Sequence, residues 1–282
     1  MAKIAAIYQG ELSDLNKIRI SPLSRAYTFS DSIYEVIPYF SGKPLCFQKH
    51  MDRLFNCISL MSISVDFSLI VGEIKKLADS LKNKDGYVYF QISRGNDLER
   101  SHFYYDDIEA ERFGYAMPCK YQSSPMDAML CEDIRWGKCN IKSTSLLGNV
   151  LVMNEAKDKG CGEVVMHRNG ILTEAGASNV FYLNRDGMVR TSALSENILP
   201  GITREILLEA LSESSVEVQE GKCSIKDFDE SPSIWLTSST KGLLPLKSVL
   251  GTKYMLDQSN NKFKDIQNLF ESAMKLHLLA SE

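Results

Sequence analysis

At 282 residues the chain is long enough for one large domain or two modest ones, and 44% hydrophobic with 24% charged residues is the balance of an ordinary globular protein. A formal net charge of -4 excludes a basic footprint for nucleic acid and a polybasic membrane patch, while leaving room for a local cationic pocket that takes a small anionic or zwitterionic ligand. Seven dispersed cysteines without a CxxC pair argue against a disulfide framework and a zinc site, so no metal is expected. Without an apolar signal core or membrane-spanning run, a cytoplasmic placement is expected.

Taken in order, residues 4–8 and 17–20 read as short strands, and 33–40 (IYEVIPYF) as a stronger one that turns at Ser41-Gly42-Lys43 into a partner at 45–47. Helices follow over 48–61 and, from an Asp66 cap, through Ile70, Ile74, Leu77 and Leu81. Gly86 returns the chain to a strand at 87–93. The polar stretch 96–107 holds Arg100, His102, Phe103 and two tyrosines, a mixture suited to a binding loop. After a strand at 113–117, the run Pro118 to Pro125 suggests a boundary near residue 120, giving domains 1–120 and 121–282.

The second half opens with a strand at 128–133. Lys142 is then expected at a strand-to-helix junction, with Ser143 and Thr144 as N-caps, Leu146, Leu147, Val150 and Leu151 on the apolar side, and Gly160 as terminator. Asn169-Gly170 is a strong hairpin signal between 163–166 and 171–173. Strands at 179–183 and 188–191 precede a Pro200-Gly201 break, a helix at 203–211, strands at 216–219, 234–237 and 244–249, and an amphipathic helix at 261–279. Hairpins interleaved with helices indicate a mixed α+β fold, and no internal repeat is present.

Several residues carry chemistry. A lysine amine becomes nucleophilic only where desolvation or a neighbouring cation lowers its pKa, and most lysines at helix starts are simply solvated, so Lys142 by itself reads as either. Pro200-Gly201-Ile202-Thr203-Arg204 opens a helix whose first N–H groups suit an anion or merely form a capped start. Thr237-Ser238-Ser239-Thr240 clusters four hydroxyls after an apolar strand, fit for phosphate or for a turn. Glu174 precedes the small-residue run 175–178, where a flat ligand can approach, and otherwise reads as a turn glutamate; Arg53 and Arg135 read as ordinary surface or ion-pairing residues.

Together the runs EDIRWGKCNIKSTSLLGNVLVMNEA, HRNGILTEAGASNVF, GITRE and LTSST, preceded by DSIYEVIPYF, HMDRL and YFQISRG, resemble the D-amino acid aminotransferase group of fold-type IV pyridoxal phosphate enzymes over essentially the whole chain. The resemblance implies a smaller N-terminal α/β domain and a larger C-terminal domain with a mixed sheet or pseudo-barrel, with pyridoxal 5'-phosphate at the domain interface. It implies that Lys142 forms the imine with the cofactor and shuttles the proton between the substrate Cα and C4′, and that Glu174 holds the pyridinium nitrogen. Arg53, Ile202, Thr203, Ser239 and Thr240 would cradle the phosphate, and Leu199 would pack on the ring.

For the substrate, the resemblance assigns Tyr34 and the Arg100-Ser101-His102 loop to the carboxylate, the loop coming from the other subunit of a homodimer. The implied reaction moves the amino group of a D-amino acid such as D-alanine to a 2-oxo acid such as 2-oxoglutarate. A branched-chain L-amino acid aminotransferase and an aminodeoxychorismate lyase share the fold and are the alternatives, with a non-catalytic binding protein of that fold more distant. Two departures touch the substrate side only: the spacing from Arg94 to Arg100 is one residue longer than the family's usual one, and Pro38 stands where the strand commonly carries another residue type.

Overall fold

The computed structural model describes residues 3–121, 124–257 and 261–279. They form two compact units: residues 3–121 with 141–145 and 278–279, and residues 124–140 with 146–257 and 261–277. The short stretch carrying Lys142 thus belongs to the first unit, although the chain on both sides of it belongs to the second.

The first unit is an antiparallel sheet backed by helices. Its strands are β1 (Ala5–Tyr8), β2 (Glu11–Asp14), β3 (Ser32–Phe40), β4 (Lys43–Pro44), β5 (Gly86–Ser93) and β6 (Glu111–Pro118), in the order β2-β1-β6-β5-β3-β4. Three helices accompany them: α1 (Arg25–Phe29), α2 (Phe47–Leu60) and α3 (Phe67–Ala78). Strand period two places Ile33, Glu35 and Ile37 of β3 on the buried face and leaves Tyr34 and Val36 half-buried on the other. Met51, Leu54 and Ile58, spaced one and two turns apart on α2, pack with Ile70, Ile74 and Leu77 of α3 and with Val88, Phe90 and Ile92 of β5 in one core. The Asp66 side chain accepts from Ser68 N at 2.8 Å and caps α3 as its sequence position indicates.

The second unit holds a mixed sheet of eight strands: β7 (Met126–Glu132), β8 (Glu163–Arg168), β9 (Ile171–Ala175), β10 (Asn179–Leu183), β11 (Val189–Ser192), β12 (Val218–Gly221), β13 (Ile234–Ser238) and β14 (Gly242–Leu250). Their order is β12-β11-β10-β13-β14-β7-β8-β9. The pairs β14·β7, β7·β8 and β11·β12 are parallel, the others antiparallel. The helices are α4 (Leu147–Asp158), α5 (Ile202–Ser212), α6 (Ile225–Asp229) and α7 (Asn261–Leu279). Parallel β7 and β8 require a crossover, which α4 supplies. Asn169 and Gly170 both have positive φ, 51° and 77°, as the two-residue hairpin between β8 and β9 demands.

Some expectations are displaced. The second strand lies at β2, ahead of the predicted 17–20, where the chain instead makes a 3-10 turn (Leu15–Lys17) and runs on without strand pairing. β4 falls at Lys43–Pro44 rather than 45–47, because Cys46 is already the left-handed N-cap of α2. The one-turn helices α1 and α6 are too short to show a helical period.

The junction at Lys142 is the main correction. Ser143 and Thr144 do not cap a helix: α4 starts at Leu147 with Leu146 as N-cap. Residues 142–144 instead pair with the start of β3, through Tyr34 N to Lys142 O at 2.9 Å, Thr144 N to Ser32 O at 3.0 Å and an antiparallel bridge of Ile33 with Ser143. Nor is the leucine-rich face of α4 its packed face: Leu147, Val150 and Leu151 are more than half exposed, and the helix turns Val152 and Ala156 inward. No helix among the described residues is long and apolar enough to cross a membrane.

Candidate active site

In the first unit the site is built on β3 and α2. Lys142 is held through both of its backbone polar groups: its carbonyl accepts from Tyr34 N, and its N–H donates to Cys57 Sγ at 3.4 Å. Its ammonium lies 4.3 Å from the centroid of the Tyr34 ring, a cation–π distance. The candidates Lys142 and Tyr34 are therefore brought together by strand pairing between positions more than a hundred residues apart in sequence.

Behind them, on the buried face of the same strand, Glu35 is fully buried and takes a bidentate bond from Arg53, Nε to Oε2 at 3.0 Å and Nη2 to Oε1 at 2.7 Å. His50, one turn before Arg53 on α2, places Nδ1 3.1 Å from Oε1, and Val36 N donates to the same oxygen. Burial works against the Glu35 charge, but the Arg53 guanidinium and His50 outweigh it and hold the carboxyl well below the usual range. Burial lowers the His50 pKa, against the opposing pull of Glu35. Arg53 thus stands fixed by a partner, Glu35, whose place in the site no local sequence signal marks; only its inward register in β3 would have hinted at it.

Arg100 and His102 lie in the loop between β5 and β6. They meet on Phe29: the Arg100 guanidinium is 4.8 Å from its ring centroid and the His102 ring 5.3 Å away. Both are exposed, and Tyr34 and Lys142 are not among their ring contacts.

The second unit arranges its candidates around Glu174, at the end of β9 and buried. Leu199 N donates to Glu174 Oε2 at 3.0 Å and Asn179 Nδ2 to the same oxygen at 3.1 Å. Asn179 also donates to Leu199 O at 2.9 Å, tying the two segments together. Arg135 pairs with Oε1, but it gives Nε and Nη2 to Asp133, each at 2.8 Å, and Nη2 also to Asn197 O. Burial raises the Glu174 carboxyl to about 7, since Arg135 is shared with Asp133 and compensates only part of that cost. Asn179 and the Asp133 that divides the guanidinium are the neighbours sequence reasoning missed; Arg135 forms ion pairs, one of the two ordinary readings given to it, and its place beside Glu174 carried no sequence signal.

Gly201 is the N-cap of α5, and a Cβ there would sit 2.0 Å from Asn179 Oδ1, so the close approach of the helix start to Asn179 needs glycine. Ile202 and Thr203 occupy the first turn of α5, where backbone N–H groups have no acceptor within the helix. Ser239 and Thr240 form the half-exposed turn between β13 and β14, and the buried hydroxyls of Thr237 and Ser238 just before them lack a hydrogen-bond partner among the described residues. Donors without acceptors beside a tight turn suit an oxyanion.

Residues 32–249, about three quarters of the chain, match the family described as Amino-transferase class IV. The chain belongs to that family. Among its relatives, D-alanine aminotransferase of Listeria innocua serovar 6a is 29% identical over 250 residues, covering 86% of each chain. Among solved structures, the branched-chain amino acid aminotransferase of Escherichia coli superposes with a TM-score of 0.86 at 20% identity, over 96% of this class IV chain and 94% of that one. The branched-chain aminotransferase of the thermophilic archaeon Thermoproteus uzoniensis, solved with norvaline, has a TM-score of 0.84 at 19% identity, over 98% and 95%. At those identities the structures establish the fold, which is the two-sheet α+β fold of fold-type IV aminotransferases.

Proposed function

We propose that the protein is a cytosolic, homodimeric transaminase that uses pyridoxal 5'-phosphate to move the amino group of a D-amino acid such as D-alanine to a 2-oxo acid such as 2-oxoglutarate. The observation that carries the reading is Lys142: an amine whose backbone is clamped on both sides and whose Nζ lies over Tyr34 has the fixed position that a covalent cofactor anchor needs. The donors present fit such a cofactor. Arg53 is preset by Glu35; the α5 N-terminus at Ile202 and Thr203 and the turn hydroxyls of Ser239 and Thr240 offer further oxyanion donors. Glu174 has spare acceptor capacity and a pKa near neutrality, so a pyridinium N–H facing it would be favoured and would in turn keep it ionised.

When bound, pyridoxal phosphate supplies the electron sink that stabilises negative charge at the substrate Cα. On this reading Lys142 would take the Cα proton and deliver it to C4′, Glu174 would preserve the sink by keeping the ring nitrogen protonated, and Leu199, tethered through its N–H to Glu174, would pack on the ring. Tyr34, Arg100 and His102 bind the substrate carboxylate and thereby decide which face of Cα meets Lys142. The exposed Leu98 and Phe103 on the loop that carries Arg100, together with the open apolar face of α4, are surfaces a second copy would cover. The Listeria innocua relative being a D-alanine aminotransferase supports the D-amino acid assignment.

Half-reaction spectra of the cofactor-loaded protein test it: D-alanine should convert the cofactor to its amine form and L-alanine should not. Conversion by L-alanine alone would reject the stereochemical assignment. Arg100→Ala should raise KM for D-alanine roughly ten- to hundredfold, the effect of one charge-assisted contact.

A further inference from the structure

Taking as given the reading in which Arg100 and His102 grip the substrate carboxylate, we infer that the one-turn helix α1 is the seat of their loop, with Arg25 and Phe29 as its positioning residues. Arg25 Nη1 donates to the carbonyl of Ser101, the residue between the two, at 2.8 Å. Phe29, one turn further along α1, presents its ring to Arg100 at 4.8 Å, to His102 at 5.3 Å and to Arg25 itself at 4.7 Å. Both loop side chains and the backbone between them therefore rest on two residues of one helical turn.

The seat is itself rigid. Arg25 is only 4% exposed and pairs with Asp31 through Nε at 2.8 Å and with Asp97. Asp31 also holds Arg94, through Nε at 2.7 Å and Nη2 at 3.1 Å, and Arg94 donates onward to the carbonyls of Met61 and Ser62. Two arginines and two carboxylates thus balance in charge, with Arg25 N bonded to Gly95 O and Arg94 N to Asp31 O joining α1 to the loop's first residues. Tyr104, three residues before the end of the polar stretch, lies 4.0 Å from the Arg94 guanidinium and 5.7 Å from that of Arg25, closing the loop's far side on the same cluster.

A surface loop with exposed Arg100 and His102 would otherwise lose entropy each time it bound a carboxylate. Seating it in advance lets two cationic or donor groups meet the substrate without that cost. Whichever protomer's Lys142 the loop serves, its geometry is set by its own chain.

Three readouts on the cofactor-loaded protein test this: KM and kcat for D-alanine, the inhibition constant of propionate, which carries the carboxylate without the amine, and amide hydrogen exchange over residues 96–107. Phe29→Leu keeps the apolar volume and removes the ring; it should raise KM and the propionate constant in parallel by roughly two- to thirtyfold, the range of one lost cation–π contact, with kcat and pyridoxal phosphate affinity unchanged and exchange in the loop faster. Arg25→Lys, which keeps the charge and loses the fork, should do the same. Since the four-charge cluster is buried and Arg25 variants are prone to misfold, Phe29→Leu is the decisive one. An active wild type whose Phe29→Leu variant shows unchanged KM and propionate binding, or a fall in kcat and cofactor affinity instead, would overturn the inference alone. A wild type inert toward D-alanine would overturn the functional reading, and this inference with it.

Discussion

Glu35 and Glu174 are both buried carboxylates paired with an arginine, yet they end in opposite states. Glu35 receives two N–H groups of Arg53 and faces His50, and it is held below the ordinary carboxylate range. Glu174 receives one from Arg135, whose remaining donors serve Asp133, and it is raised to about 7. What separates them is the number of donors each carboxylate receives from its arginine: two N–H bonds from Arg53, with His50 alongside, offset the loss of water around Glu35, and one bond from an Arg135 that also serves Asp133 does not do so for Glu174. The first arrangement fixes an arginine in place. The second leaves a carboxyl able to gain from a further cation, which is the role proposed for it toward a pyridinium nitrogen.

The same substitution at each site separates the two. Glu35→Gln removes the carboxylate that Arg53 and His50 face in the core and should cost roughly 3–5 kcal/mol in denaturant unfolding of the cofactor-free chain near pH 7. The wild-type contribution of Glu35 is present above the ordinary carboxyl value of 4.5 and is lost only as the pH falls further, through its depressed native value. A loss under about 1 kcal/mol at neutral pH would break the distinction.

Glu174 works with the opposite sign. Its native value lies above the ordinary 4.5, so the folded state holds the proton more tightly, and stability should fall as the pH rises from about 4.5 through about 7. The fall should be on the order of 3 kcal/mol in the cofactor-free chain. Glu174→Gln should flatten that part of the profile while leaving stability at low pH little changed. A wild-type profile already flat across this interval would show Arg135 to be sufficient after all.

What was legible in the sequence follows the range of the interaction behind it. The Asp66 cap, the Asn169-Gly170 hairpin and the Gly201 helix start are decided within four residues, and each stands where its local chemistry puts it. The one-turn spacing of Ile70, Ile74, Leu77 and Leu81 marked part of the first unit's core for the same reason. The helix start after Lys142 was placed too early because Ser143 and Thr144 look like caps locally, whereas hydrogen bonds with Ser32 and Tyr34 tie this stretch to β3. The leucines of α4 misled in a similar way: Leu147, Val150 and Leu151 make an apolar stripe at helical spacing, yet they stand exposed while Val152 and Ala156 turn inward. Glu35 and Asn179 escaped notice, and Arg135 was not linked to Glu174, because an ion pair between Glu35 and Arg53, or between Arg135 and Glu174, has no periodicity to betray it. The family resemblance supplied the fold and the candidate residues, and the structure supplied the partners that orient them.

The central claim is that the Lys142 amine anchors the cofactor. Incubating the chain with pyridoxal 5'-phosphate, reducing with borohydride and mapping the product by peptide mass spectrometry tests it most directly. The account predicts a phosphopyridoxyl group on Lys142, absent from a folded Lys142→Ala variant that also lacks transaminase activity; a label on another lysine, or none on the wild type, would contradict it.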